Sequence, residues 1–99
     1  MFIVLTTKPG EYRTEAGEGT TVLSSYEYRF YNKIKAIFSI AQIEEGARVV
    51  ITEEGEDGTV NNIPTRQMEK FTSVEEALSE LESLTQFGSI KAELIPCQT

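Results

Sequence analysis

The chain has no histidine, no tryptophan and a single cysteine in 99 residues. Without histidine it cannot build a Ser-His-Asp triad, a Cys-His dyad or an imidazole metal ligand from its own residues. One cysteine excludes an internal disulfide framework and any four-thiolate zinc or iron–sulfur site. Long apolar runs are missing too. The longest near the start, Phe2 to Leu5, is too short for a secretory core and has no basic segment before it. No stretch approaches the ~20 apolar residues of a membrane span. Together these absences point to a cytoplasmic protein. Glycine is too sparsely placed to cradle a phosphate. Gly17-Glu18-Gly19 lacks the third glycine of a dinucleotide fingerprint, and no Gly-Lys-Ser/Thr occurs.

Positive charge is also scarce. Nine basic residues face 16 acidic ones, for a net charge of -7. Residues 1–50 carry 6 basic and 6 acidic side chains, whereas residues 51–99 carry 3 and 10. Phosphate backbones and anionic membranes repel such a domain at long range, so nucleic-acid binding is disfavoured and no membrane association is expected. Apolar residues make up 39% of the chain and charged residues 25%, an ordinary globular balance. The length fits one small domain over residues 1–99, with one core and little room for a deep pocket.

The order of elements follows from periodicity and turn chemistry. Phe2 to Thr7 is rich in strand formers and stops at Pro9-Gly10. Glu11 to Thr20 is polar and reads as a loop. Val22 to Tyr31 alternates, with Tyr26, Tyr28 and Phe30 on one face and Glu27, Arg29 and Tyr31 on the other. Asn32-Lys33 suits a turn. Ile34 to Ile43 fits both strand and helix spacing, and its β-branched and aromatic content favours the strand. Glu44-Glu45-Gly46 turns the chain, and Arg48 to Thr52 is expected to return as the antiparallel partner of 34–43. Glu53 to Asn62 reads as a solvated loop, and Ile63 to Phe71 as irregular. Ser73-Val74-Glu75-Glu76 matches a capping box. After it, Val74, Ala77, Leu78, Leu81 and Leu84 make an apolar stripe at helical spacing. Gly88 suits the helix stop, and Ile90 to Ile95 a last strand closed by Pro96. The sum is a two-layer α+β domain: a mostly antiparallel sheet of about five strands (β-β-β-β-α-β) with one amphipathic helix on one face.

Candidate sites are few. The segment Tyr26 to Lys35 interleaves aromatic and basic residues, as single-strand-binding sheets do. A strand half-buried under the helix explains the alternation without a ligand. Arg29, Tyr31, Lys33 and Lys35 remain as an interaction surface, since exposed Tyr and Arg are enriched in binding hot spots. Glu75, Glu76, Glu80 and Glu82 form an acidic helix face, which serves either a basic partner or plain solvation. The acidic loop Glu53 to Gly58 lacks the spacing of a calcium-binding loop. Cys97 has no local cation to lower its pKa. Fifteen glutamates make carboxylate pairs too common to signal catalysis.

No catalytic residue, metal or cofactor is assigned. The expectation is a small acidic accessory module that binds a protein partner, or a second copy of itself through a sheet edge. The alternative is a small-ligand-binding protein or enzyme with a pocket between helix and sheet, using Tyr26, Tyr28 and Glu27. A third reading is acidic mimicry of nucleic acid by residues 51–99.

Overall fold

The computed structural model describes residues 1–31, 33–55, 58–85 and 92–97. Among them are seven strands: β1 (Phe2–Thr7), β2 (Tyr12–Ala16), β3 (Thr20–Phe30), β4 (Lys33–Ile43), β5 (Arg48–Glu53), β6 (Val60–Pro64) and β7 (Ala92–Cys97). A 3₁₀ turn spans Thr65–Gln67, and one helix, α1, spans Val74–Thr85. The strands form a four-stranded sheet ordered β1-β4-β3-β7 and a three-stranded sheet ordered β2-β5-β6. Every pairing is antiparallel. The α+β class holds, but sheet dominates and the strands number seven in two sheets rather than about five in one.

Two strands arise where loops were expected. In β2, Tyr12 and Thr14 are half-buried while Arg13 and Glu15 face out, joined by a 2.6 Å ion pair. The charged outer face hides the alternation in sequence. In β6, Val60, Asn61 and Asn62 are all exposed. That strand exists because β5 offers it a ladder, not because its side chains favour one.

The segment 34–43 is a strand, as its composition favours. Its expected hairpin with Arg48–Thr52 does not form. A turn through Gly46 (φ +79) sends β5 into the second sheet, where β2 and β6 flank it. The capture point is backbone: Gly17 N–H donates to the Arg48 carbonyl at 3.0 Å, and Arg48 N–H to the Glu18 carbonyl at 2.8 Å. This approach requires glycine. A Cβ at Gly17 would lie 2.6 Å from the Arg48 carbonyl oxygen.

The core has two parts on opposite faces of the larger sheet. Ile40 of β4 packs with Phe71, Ala77 and Leu81 beneath α1, bordered by Val4, Tyr26 and Phe38. Ile3, Leu5 and Ala41 pack with Val49 of β5, bordered by Val22, Ile63 and Met68. Helix, four-stranded sheet and three-stranded sheet therefore replace the expected two layers. A β-bulge after Val22 makes both faces possible. It leaves Leu23 without a β4 partner, so Val22 faces the second sheet while Tyr26, four residues on, faces the helix.

The helix begins as predicted, with Ser73 Oγ accepting the Glu76 N–H at 3.1 Å. Of the expected stripe, Ala77 and Leu81 are buried, but Leu84 is 56% exposed. Gly88 and Ile90 lie outside the described residues. The last strand does not stop at Pro96, because Cys97 still pairs with Ser25 of β3.

Candidate functional site

The predicted interaction residues cluster at one end of the β3–β4 hairpin. Phe30 pairs with Lys33, so Tyr31 occupies the turn rather than the end of a strand face. Its φ is +52, the only positive value at a non-glycine residue among the described residues. A bulky side chain there carries backbone strain. Tyr31 is 60% exposed, and its ring meets Phe30 edge-on at 4.6 Å. Asn32, expected in the turn, lies outside the described residues. Ile34 is another exposed apolar side chain of the tip.

The cations are arranged unequally. Arg29 does not present a free charge, since its Nε and Nη2 donate to Glu27 Oε1 at 3.1 and 2.8 Å. Lys33 and Lys35 are exposed, and neither has an ion-pair partner among the described residues. A register irregularity between Tyr28 and Arg29 leaves Lys35 unmatched on β3. It lines a 380 Å³ cleft with Tyr28 and Phe38. Because β1 pairs with β4 only from Ile37 onward, Lys33 to Ala36 project past the edge strand. The tip is thus an aromatic knob with two free lysines on an otherwise acidic molecule.

The acidic helix residues do not share one surface. Glu75 and Glu76 are exposed at the helix start, where the dipole favours them. The Glu76 carboxylate accepts the Thr72 hydroxyl at 2.9 Å. Glu82 is exposed. Glu80 turns instead into a cleft beside Glu69, Phe71 and Leu81.

That cleft is the space expected between helix and sheet, but it holds only 210 Å³. The residues nominated for it do not converge. Tyr26 packs into the core under α1, Tyr28 lines the cleft near Lys35, and Glu27 holds Arg29. A wider opening of 520 Å³ lies between the two sheets, lined by Val4, Thr6, Tyr12, Ile51 and Met68 among others. Sequence reasoning missed this opening because it depends on β2 and on the second sheet. In the acidic loop, the Glu54 carboxylate is engaged locally, accepting the Gly10 N–H at 2.7 Å, and Glu56 and Asp57 lie outside the described residues. Cys97 is half-buried, and burial followed by the nearby Glu27 charge pushes its thiol pKa up.

No family model, curated protein or solved structure matches this chain. No helix among the described residues is long and apolar enough to cross a membrane.

Proposed function

We propose that this protein is a small acidic accessory module of the cytoplasm that works by binding another protein. The binding surface is the β3–β4 tip, with Tyr31 as anchor and Lys33 and Lys35 as flanking charges. The observation that carries this reading is Tyr31 itself: a large aromatic side chain held exposed in a conformation that favours glycine or asparagine. Its ring meets Phe30 at the tip, and the buried core clusters of the described residues lie elsewhere. Strain of this kind persists where surrounding structure holds it, and it concentrates at binding sites. Arg29 belongs to the surface as a support, because its charge is neutralised by Glu27. The partner presents an apolar pocket bordered by carboxylates.

The test is recovery of partners from the native host on the tagged protein, washed at low and moderate salt, followed by the same experiment with Tyr31→Ala. One stoichiometric partner is expected, bound about 1–2 kcal/mol more weakly by the variant. Unchanged binding with an intact circular dichroism spectrum would overturn the assignment. The second reading is a small-ligand protein, favoured by the clefts on either side of Val4 and Thr6. A thermal shift produced by a small molecule, with no protein partner recovered, would support that reading instead.

A further inference from the structure

Among the described residues the sheets have four lateral edges, each blocked in part. In antiparallel ladders, alternate residues point their backbone groups to one neighbour and then the other. In β6 the Glu53 N–H donates to the Thr59 carbonyl, so Val60, Asn62 and Pro64 face outward. Pro64 has no N–H to offer, and the Asn62 carbonyl already accepts Arg48 Nη2 at 3.0 Å. On β7 the same alternation turns Pro96 outward. The outer edge of β2 is folded onto β1, with Tyr12 bonded to Lys8 and the Thr14 N–H donating to Thr7 Oγ1 at 3.0 Å. Proline and local pairing are how soluble sheets avoid adding strands.

Edge β1 differs in what flanks its bare groups: β6 also leaves the Val60 N–H and carbonyl and the Asn62 N–H unbonded among the described residues, but neither residue lines the clefts described above. Phe2 exchanges backbone bonds with Phe71 at one end, and Lys8 with Tyr12 at the other. Even-numbered residues of β1 therefore face away from β4. Thr14 Oγ1 caps the Thr6 carbonyl. Among the described residues nothing bonds the Val4 N–H, the Val4 carbonyl or the Thr6 N–H. The clefts of 520 and 210 Å³ both reach this window and share Val4, Thr6 and Met68. Their walls are apolar, with Leu5, Val49 and Ile51 on one side and Phe38, Phe71 and Leu81 on the other. Their charged lining is acidic only: Glu11, Glu53 and Glu54 in one, Glu69 and Glu80 in the other.

We infer that the Val4–Thr6 edge is a docking slot for an extended segment of a partner protein, with alternating apolar side chains and a basic residue at each end. Strand addition over Val4–Thr6 alone, between the Phe71 and Tyr12 pairings, satisfies the three bare backbone groups, and the flanking residues of the segment leave the edge at those pairings. The two-residue period of a strand sends successive side chains into opposite clefts. The acidic rims select basic flanks. A second copy is a poor occupant, because two chains of charge -7 repel and its outer β6 and β7 edges carry proline. At its Thr6 end the slot adjoins the Lys35 cleft of the hairpin tip, with which it shares Thr6 and Phe38, but Tyr31 lines neither of its clefts.

The probe is a capped seven-residue peptide of alternating valine and threonine between terminal lysines, titrated into ¹⁵N-labelled protein. Saturable amide shifts are expected at Val4, Thr6 and Met68. Glutamate in place of the terminal lysines should weaken binding about tenfold. Thr6→Pro removes one outward N–H without touching the β1–β4 ladder, and should weaken binding about fivefold. If that variant does not fold, N-methylation of the peptide's central residue makes the equivalent deletion on the ligand. Tyr31→Ala should leave peptide binding unchanged. No shift at Val4 and Thr6 at millimolar peptide, or shifts confined to residues 30–35, would overturn the slot. So would shifts at Val4 and Thr6 that appear on concentrating the protein alone, because a second copy would then be the occupant.

Discussion

Cys97 illustrates how little a residue's identity says about its reactivity. In sequence it only lacks a local cation to activate it. In the fold it stands opposite Ser25 on β7, and burial, then the charge of Glu27, raises its thiol pKa. A raised pKa means less thiolate at any pH below it, so the thiol is a poorer nucleophile. Iodoacetamide at pH 8 should therefore alkylate Cys97 more slowly than a cysteine in an unstructured peptide. Glu27→Gln should speed the reaction, and the rate should keep rising with pH beyond the point where the peptide's levels off. Equal rates for protein and peptide would mean that neither cause operates. Tyr31 makes the complementary point. Alternation places it on a strand face with Arg29, whereas the pairing of Phe30 with Lys33 makes it a turn residue.

Among the elements, the connection between β2 and β3 does more than its polar sequence suggests. Gly17 bonds to Arg48, and so do Glu18 and Thr20. This contact draws β5 away from β4 and starts the second sheet. A side chain at Gly17 would press on the Arg48 backbone, which has no flexible end to yield. Gly17→Ala should thus cost about 2 kcal/mol or more, measured by urea unfolding. A stability within about 0.5 kcal/mol of the parent would show that the turn is not the anchor of the second sheet. The bulge at Leu23 is equally consequential, because without it Val22 and Tyr26 would share a face.

For the molecule as a whole, the two core clusters draw on the same strands, and β4 supplies fully buried residues to both. Ile40 points to the helix side of β4 and its neighbour Ala41 to the second sheet, both fully buried. The two halves of the core should therefore melt together. Val49→Ala and Leu81→Ala each remove a nearly fully buried side chain and should cost about 1–3 and 2–5 kcal/mol respectively. Because they lie on opposite faces of the larger sheet, their effects should add to within about 0.5 kcal/mol. Each variant should show one coincident transition by fluorescence and circular dichroism. Two separate transitions would mean that the three-stranded sheet folds apart from the rest.

Some of this was legible in the amino-acid order, and the reason is locality. The Ser73 cap and the spacing of Val74, Ala77, Leu78 and Leu81 act within a turn or two of chain, so helix α1 could be read directly. The segment Ile34 to Ile43 fitted both strand and helix spacing, and its β-branched and aromatic content only favoured the strand that forms. Strands β2 and β6 could not be read, since the charged face of β2 hides its alternation, the side chains of β6 do not favour a ladder, and the partners of both come from distant sequence. The aromatic and basic residues of the hairpin tip were visible as types, but the strained exposure of Tyr31 and the capture of Arg29 by Glu27 follow from register. Val4 and Thr6 carried no signal, because every residue but proline has the same backbone N–H and carbonyl. Sequence alone determined the class of the fold, the acidic surface and the chemistry this chain lacks. Tertiary structure alone decided which backbone groups are left unpaired, since that depends on which strands meet.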